Sequence, residues 1–429
     1  MHRKGEIVGV VDFGSRVIRV LVARQDDDGT IRIVGHGTER ARGCISQGVI
    51  QDLNATQVAL KKALAAAEKE SQFQLKSVFC AISGKNVDTF IREGNVKLDR
   101  QVVELAHMKK ALGIAANDIL APGKRVLSSV TSREWYVDDL RVMDPVGIRG
   151  QILKTRVHFA LVPAVIIDNL VTCVKSQRLT LEDLVFTPLA SAQGCLTPEE
   201  MELGVAVLDM GRSTADLAVY RDHRILGSNC FEWGGFYLTR DVAARFHIAF
   251  EEADELILSY GISDELLKAD PNEDMTSRLA DRDEPEMPVK LKTNVTGSPA
   301  IVDRAEVELI IYQRARELLT KVRQYLEARG LMKHVVCGVV MTGGASVIKN
   351  HVQLANAVLR ISSRQGTPGN VENSIQAVGA PTYAAAVGLV RHAFAHRAAV
   401  RGGQVDAEGP GAPVWRRAWR FVNQFLLPR

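Results

Sequence analysis

The chain of 429 residues is 46% hydrophobic and 24% charged, which suits two or three globular domains with sizeable cores. A formal net charge of +4 is too small for bulk nucleic-acid binding. The six cysteines (Cys44, Cys80, Cys173, Cys195, Cys230 and Cys337) are scattered without a Cys-x-x-Cys pair, and the histidines lack metal-binding spacing; a reduced cytoplasmic compartment fits and zinc does not.

The start, Met1 to Glu6, is short and polar. No apolar stretch has the character of a signal sequence or a spanning helix, so any membrane contact is expected to be peripheral. Val8 to Ala23, VGVVDFGSRVIRVLVA, reads as a buried strand, an Asp-x-Gly turn and a second strand; a third follows at Ile31–Val34. Ala55 to Lys69 has a helical, alanine-rich pattern. Between about Gly84 and Pro163 the pattern is that of a small α+β unit, with a helix over Val103–Asn117 and strands at Val126–Val130 and Thr155–Leu161. A helix is expected over Leu184–Leu196.

Val205 to Tyr220, VAVLDMGRSTADLAVY, then repeats the opening segment without a gap, and Asp209 follows Asp12 by 197 residues. A matched copy at a fixed offset marks two related α/β halves. Glycine at such a turn lets the backbone reverse tightly and approach a ligand. Successive N–H groups there can cradle a phosphate, and an Asp beside them can hold a hydrated divalent cation. Asp270 to Pro299 is rich in Asp, Glu, Pro and Ser and reads as a loop. Ala305 to Leu326 is a long helix pattern. A third glycine turn, Gly343-Gly344-Ala345, follows a buried strand and precedes a helix expected over Val347–Leu359, a natural anion contact. A last body helix is expected over Pro381–Val390.

Ala399 to Pro413 has the glycine and proline content of a flexible linker. Beyond it, at about 100° per residue, Trp415, Ala418, Trp419, Val422, Phe425 and Leu426 share one helix face. Arg416, Arg417, Arg420, Asn423 and Gln424 lie opposite, and no acid follows Glu408. This is the pattern of an interfacial membrane helix. Each arginine near an anionic leaflet contributes roughly 1 kcal/mol.

These features resemble the FtsA family of actin-like bacterial cell-division proteins. The resemblance runs over essentially the whole chain through SVFCAISGKNV (Ser77–Val87), DPVGIRG (Asp144–Gly150), ELGVAVLDMG (Glu202–Gly211), VVMTGGASVIKN (Val339–Asn350), AVGL (Ala386–Leu389) and the tail WRRAWRFVNQFL (Trp415–Leu426). It implies an α/β fold: actin/Hsp70-like duplicated ribonuclease-H-like domains, an inserted small α+β subdomain and a C-terminal amphipathic helix. The expected division is a first actin-like subdomain over 1–83, resuming at about 164–200 and 375–398, with the insert at 84–163. The second domain would span 201–374, with its smaller subdomain at about 235–320. The linker would be 399–413 and the membrane helix 414–429.

The resemblance also implies ATP with Mg²⁺ in the cleft, contacted by Asp12, Gly14, Ser15, Arg16, Asp209, Gly211, Arg212, Ser213, Thr214, Asp254, Gly343, Gly344 and Ala345, the cation being held by Asp12 and Asp209 through water. The family pattern is altered at several positions. Val17 stands at the lysine of the first turn, beside Arg16. Arg212 and Ser213 replace glycines, and Arg212 is placed either on a phosphate or against Asp12 or Asp209. Ile257 replaces a lysine, and Asn350 a glycine. No catalytic residue is assigned, and at most a weak ATPase is implied. The implied role is to polymerise on the inner membrane, tether the tubulin-like FtsZ ring and recruit later division proteins. The partners are FtsZ, further copies of the chain, anionic lipid and other division proteins, without nucleic acid. The competing expectations are a scaffold of type IV pilus assembly and a small-molecule kinase of the same superfamily.

Overall fold

The computed structural model describes residues 5–117, 123–127, 133–268, 289–290, 301–369, 371–373 and 375–401. The expected anchor, Trp415 to Leu426, and most of the loop expected at Asp270–Pro299 lie outside the described residues.

The opening repeat folds into an antiparallel meander of strands Glu6–Phe13, Val17–Gln25 and Ile31–Arg40. Ser77–Ile82 lies parallel to the first strand and Thr180–Phe186 parallel to that, giving six strands with Glu372–Asn373 at the far edge. The near-continuous apolar runs reflect cover on both faces. Helix Leu53–Ser71 packs against the second and third strands and helix Ala384–Arg401 against the first. Asp52 starts the former helix by accepting Ala55 N–H at 2.9 Å.

The second copy builds the same layout. Strands Val205–Met210, Ala215–Arg221 and Arg224–Phe231 form the meander, and Val339–Thr342 lies parallel to the first of them. Ser363–Gln365 completes this five-stranded sheet. Its tight turn uses Asp222 and His223, both at positive φ (51° and 59°), the geometry that matches the twist of a hairpin. Helices Gly235–Phe246, Phe250–Tyr260, Asp264–Lys268 and Arg304–Ala328 accompany this sheet, and the first, second and fourth of them pack on one another.

The two halves meet where helix Thr187–Cys195 crosses Ala384–Arg401. The crossing depends on two glycines. A Cβ on Gly194 would meet the Ala384 carbonyl at 2.0 Å, and one on Gly388 the Ala190 carbonyl at 1.7 Å.

The inserted segment forms a separate antiparallel sheet, ordered Leu140–Val142, Arg133–Val137, Ile152–Pro163 and Asp88–Lys97, with Lys124–Val126 also pairing with Ile152–Pro163. Helix Leu105–Ala115 covers it and supplies Met108, Ala111, Leu112 and Ala115 to its own small core. The insert also touches the second lobe. Thr89 Oγ1 donates to the Ser228 carbonyl at 2.6 Å, His158 Nε2 lies 3.0 Å from Ser228 Oγ, and Arg141 pairs with Asp222 at 2.8 Å.

Several expected boundaries move. Residues 184–186 end a strand, so the helix occupies only Thr187–Cys195. The helix expected from Val347 starts at His351, after a short 3₁₀ turn at Gly344–Val347. The strand expected at Val126–Val130 is Lys124–Val126, with 128–130 outside the described residues. The last body helix, after a 3₁₀ turn at Pro381–Tyr383, runs on to Arg401 and absorbs three residues of the expected linker. Alternating strands in the insert at Asp88–Lys97 and Arg133–Val137 escaped the sequence reading because their exposed faces carry charge.

Candidate nucleotide cleft between the two lobes

The three glycine turns converge on one cleft of roughly 360 Å³ between the sheets. Asp12, Gly14, Ser15, Arg16, Asp209, Gly211, Arg212, Ser213, Thr214, Asp254, Gly343, Gly344 and Ala345 all line it. The shared fold explains the convergence: Asp12 and Asp209 are each the last residue but one of the first meander strand, opposite Ala81 and Thr342 of the neighbouring parallel strand.

The floor is carboxylate-rich. Asp209 is 8% exposed and takes a hydrogen bond from the Ser191 hydroxyl; burial pushes its carboxyl up to about 7. Burial also raises Asp12, opposed by Arg19, and raises Asp216, opposed by hydrogen bonds from Cys230, Ser83 and Thr214. Gly343, at φ 83°, lies so close that a Cβ there would meet Asp209 Oδ1 at 2.3 Å. This backbone approach to a buried acid is a glycine-only arrangement.

The cations pair differently from the sequence expectation. Arg212 meets neither Asp12 nor Asp209. Its Nη1 lies 3.2 Å from Asp254 Oδ2 and its guanidinium stacks on Phe236, 5.2 Å from the ring centre. Arg16 reaches the same Asp254 oxygen at 3.1 Å, and Thr239 donates to the other at 2.5 Å. The cation on Asp12 is Arg19, at 3.2 Å. Sequence reading missed Arg19, Ser83, Ser191 and Thr239. The signal for Arg19 was present: strands joined by a short turn place it directly across from Asp12. Asn350, where glycine was expected, sits at φ 63° in the left-handed region that asparagine tolerates, and its amide donates to Ile262 O at 2.8 Å. Ile257, at the expected lysine, is a buried residue of the second core.

The donor set fits a magnesium polyphosphate. Three buried acids with raised pKa would be relieved by a divalent cation, and Arg16 and Ser15 offer donors at the cleft mouth. Among the described residues no three acidic, histidine or cysteine side chains converge to ligate an ion directly. Asp12 and Asp209 are the residues that would hold Mg²⁺ through water, where it would neutralise phosphate charge.

Two solved structures define the class. The PilM-PilN type IV pilus biogenesis complex superposes with TM-score 0.62 at 15% identity, covering 90% of this chain and 98% of that one. MreB 5 of Spiroplasma citri bound to AMPPNP gives TM-score 0.56 at 13% identity, covering 93% and 99%. The fold is actin-like, two ribonuclease-H-like halves around a cleft.

Within that class, the family model described as "Cell division protein FtsA" matches residues 206–388. Curated proteins of that name are similar along nearly the whole chain. The one from Pseudomonas aeruginosa is 26% identical over 427 residues, covering 98% of each chain. That of Agrobacterium fabrum is 28% identical, covering 98% of this chain and 95% of its own, and that of Escherichia coli 27%, covering 90% of each. The chain is similar to these cell-division proteins along nearly its whole length, and that similarity supports an actin-like cell-division role.

Proposed function

We propose that this chain polymerises on the cytoplasmic face of the inner membrane, tethers the FtsZ ring to it at the septum and recruits later division proteins. Full-length FtsA similarity carries this reading, joined to the facial segregation of the tail. The tail supplies the membrane half: Trp415, Trp419, Val422, Phe425 and Leu426 enter the interface while Arg416, Arg417 and Arg420 meet anionic headgroups. One short helix binds lipid reversibly, so stable attachment comes from many linked copies in a polymer. The smaller subdomain of the second lobe, around residues 235–299, is the FtsZ-facing surface, and the insert is the assembly surface. The cleft takes ATP with Mg²⁺, and the chain acts as a tether rather than as a turnover enzyme.

The membrane half is tested by co-sedimentation with vesicles containing anionic lipid. The full chain should pellet with them and a chain ending at Arg401 should stay in solution. Equal pelleting would remove the anchor from the tail. The pilus-scaffold reading draws on the PilM-PilN likeness, which at 15% identity reaches the fold alone.

A further inference from the structure

The two lobes are joined across the cleft by side chains at its mouth. Ser15 Oγ of the first lobe lies 2.7 Å from Ser213 Oγ of the second. The Gln47 N–H, also of the first lobe, donates to the same Ser213 oxygen at 2.9 Å, and Gln47 Nε2 donates to Tyr237 Oη at 3.4 Å. Arg16 crosses to Asp254 at 3.1 Å. Deeper in the cleft, the Ser83 hydroxyl of the first lobe donates to Asp216 of the second. Ser213 is 8% exposed and bonded to two groups of the opposite lobe, so a glycine at 213 would delete both bonds at once.

We propose that Ser213 and Arg16 form a cross-cleft latch, by which the chain's own side chains hold the lobes closed, and that a polyphosphate entering the cleft must displace it. The Ser15 hydroxyl, the Gln47 N–H and the Arg16 guanidinium are the donors an anion would recruit. In the latch Ser213 Oγ holds the first two and Asp254 the third. Ligand and latch are therefore alternative occupants of the same groups. Apparent ligand affinity is reduced by the fraction of molecules in which the latch is closed. The displacement half rests on the nucleotide reading of the cleft; the latch half does not.

Hydrogen–deuterium exchange on the full chain without nucleotide tests the latch, because the mutated residue and the reporting peptides lie in different lobes. Ser213→Gly should speed exchange of peptides spanning 14–17 and 44–50 about tenfold, the effect of losing a bond of ordinary strength. Ser213→Thr, which keeps the hydroxyl, should restore the wild-type rate. Arg16→Ala should speed exchange in the helix Phe250–Tyr260 of the opposite lobe. Changes confined to the mutated turn would overturn the latch. Titration with Mg·ATP tests the displacement: Ser213→Gly should bind a few-fold tighter than wild type. Equal or weaker binding alongside faster exchange would overturn the competition. Absence of ATP binding in both chains would contradict the nucleotide reading, leaving the exchange result to decide the latch.

Discussion

Arg19 and Asp12 are direct cross-strand partners on the first hairpin, with Nη1 3.2 Å from Oδ2 at the floor of the cleft. Arg19 also lies over the Tyr383 ring, 5.3 Å from its centre, so one guanidinium links the hairpin to the segment entering the last helix. Removing one partner of such a pair leaves the other buried and uncompensated. Arg19→Ala is expected to lower unfolding stability by about 2–3 kcal/mol, discounted for the partial exposure of the arginine. Arg19→Lys, which keeps the charge, should recover part of it. Urea denaturation of the three chains measures this.

Asp209 sets a pH dependence with a definite sign. Its folded pKa, about 7, lies above the ordinary 3.8, so the native state holds the proton more tightly than the unfolded state. The stability it contributes is fully present below about pH 4 and is lost as pH rises to 7. Asp209→Asn should flatten this component, seen as a smaller fall in urea midpoint between pH 5 and pH 7.5 than in wild type. An equal fall in both chains would show that Asp209 is not its source.

The helix crossing predicts a steric effect with no polar component. Gly388→Ala would place a Cβ 1.7 Å from the Ala190 carbonyl, which forces the two connecting helices apart. Overpacking of this kind costs about 1–3 kcal/mol. A lower thermal midpoint, with Gly113→Ala as a control in open space, would show it.

Asn350 gives a backbone test. At φ 63° glycine should be tolerated, apart from the lost bonds to Ile262 and Asp264, whereas Asn350→Val should cost roughly 1–2 kcal/mol more because a β-branched side chain resists the left-handed region. Equal thermal midpoints for the two variants would contradict this account.

The duplicated meanders were legible because buried strands leave long apolar runs and the Asp-x-Gly turns recur at a fixed offset. Pairings between distant side chains were not. Nothing local in the sequence ties Arg212 to Asp254, which lies 42 residues on, beyond two strands and a helix. Arg19 was within reach, since two strands and a short turn fix its partner. Asn350 read as a departure from the glycine pattern because sequence identity does not display φ. The start of the helix at His351 was misplaced because Gly344–Val347 forms a 3₁₀ turn whose apolar spacing mimics the helix that follows.

The central claim, that this chain carries FtsZ to the membrane, is tested most directly by flotation of purified FtsZ with vesicles containing anionic lipid. FtsZ should float with the vesicles in the presence of the full chain and remain below with a chain ending at Arg401. FtsZ left in solution while the full chain floats would contradict the tether.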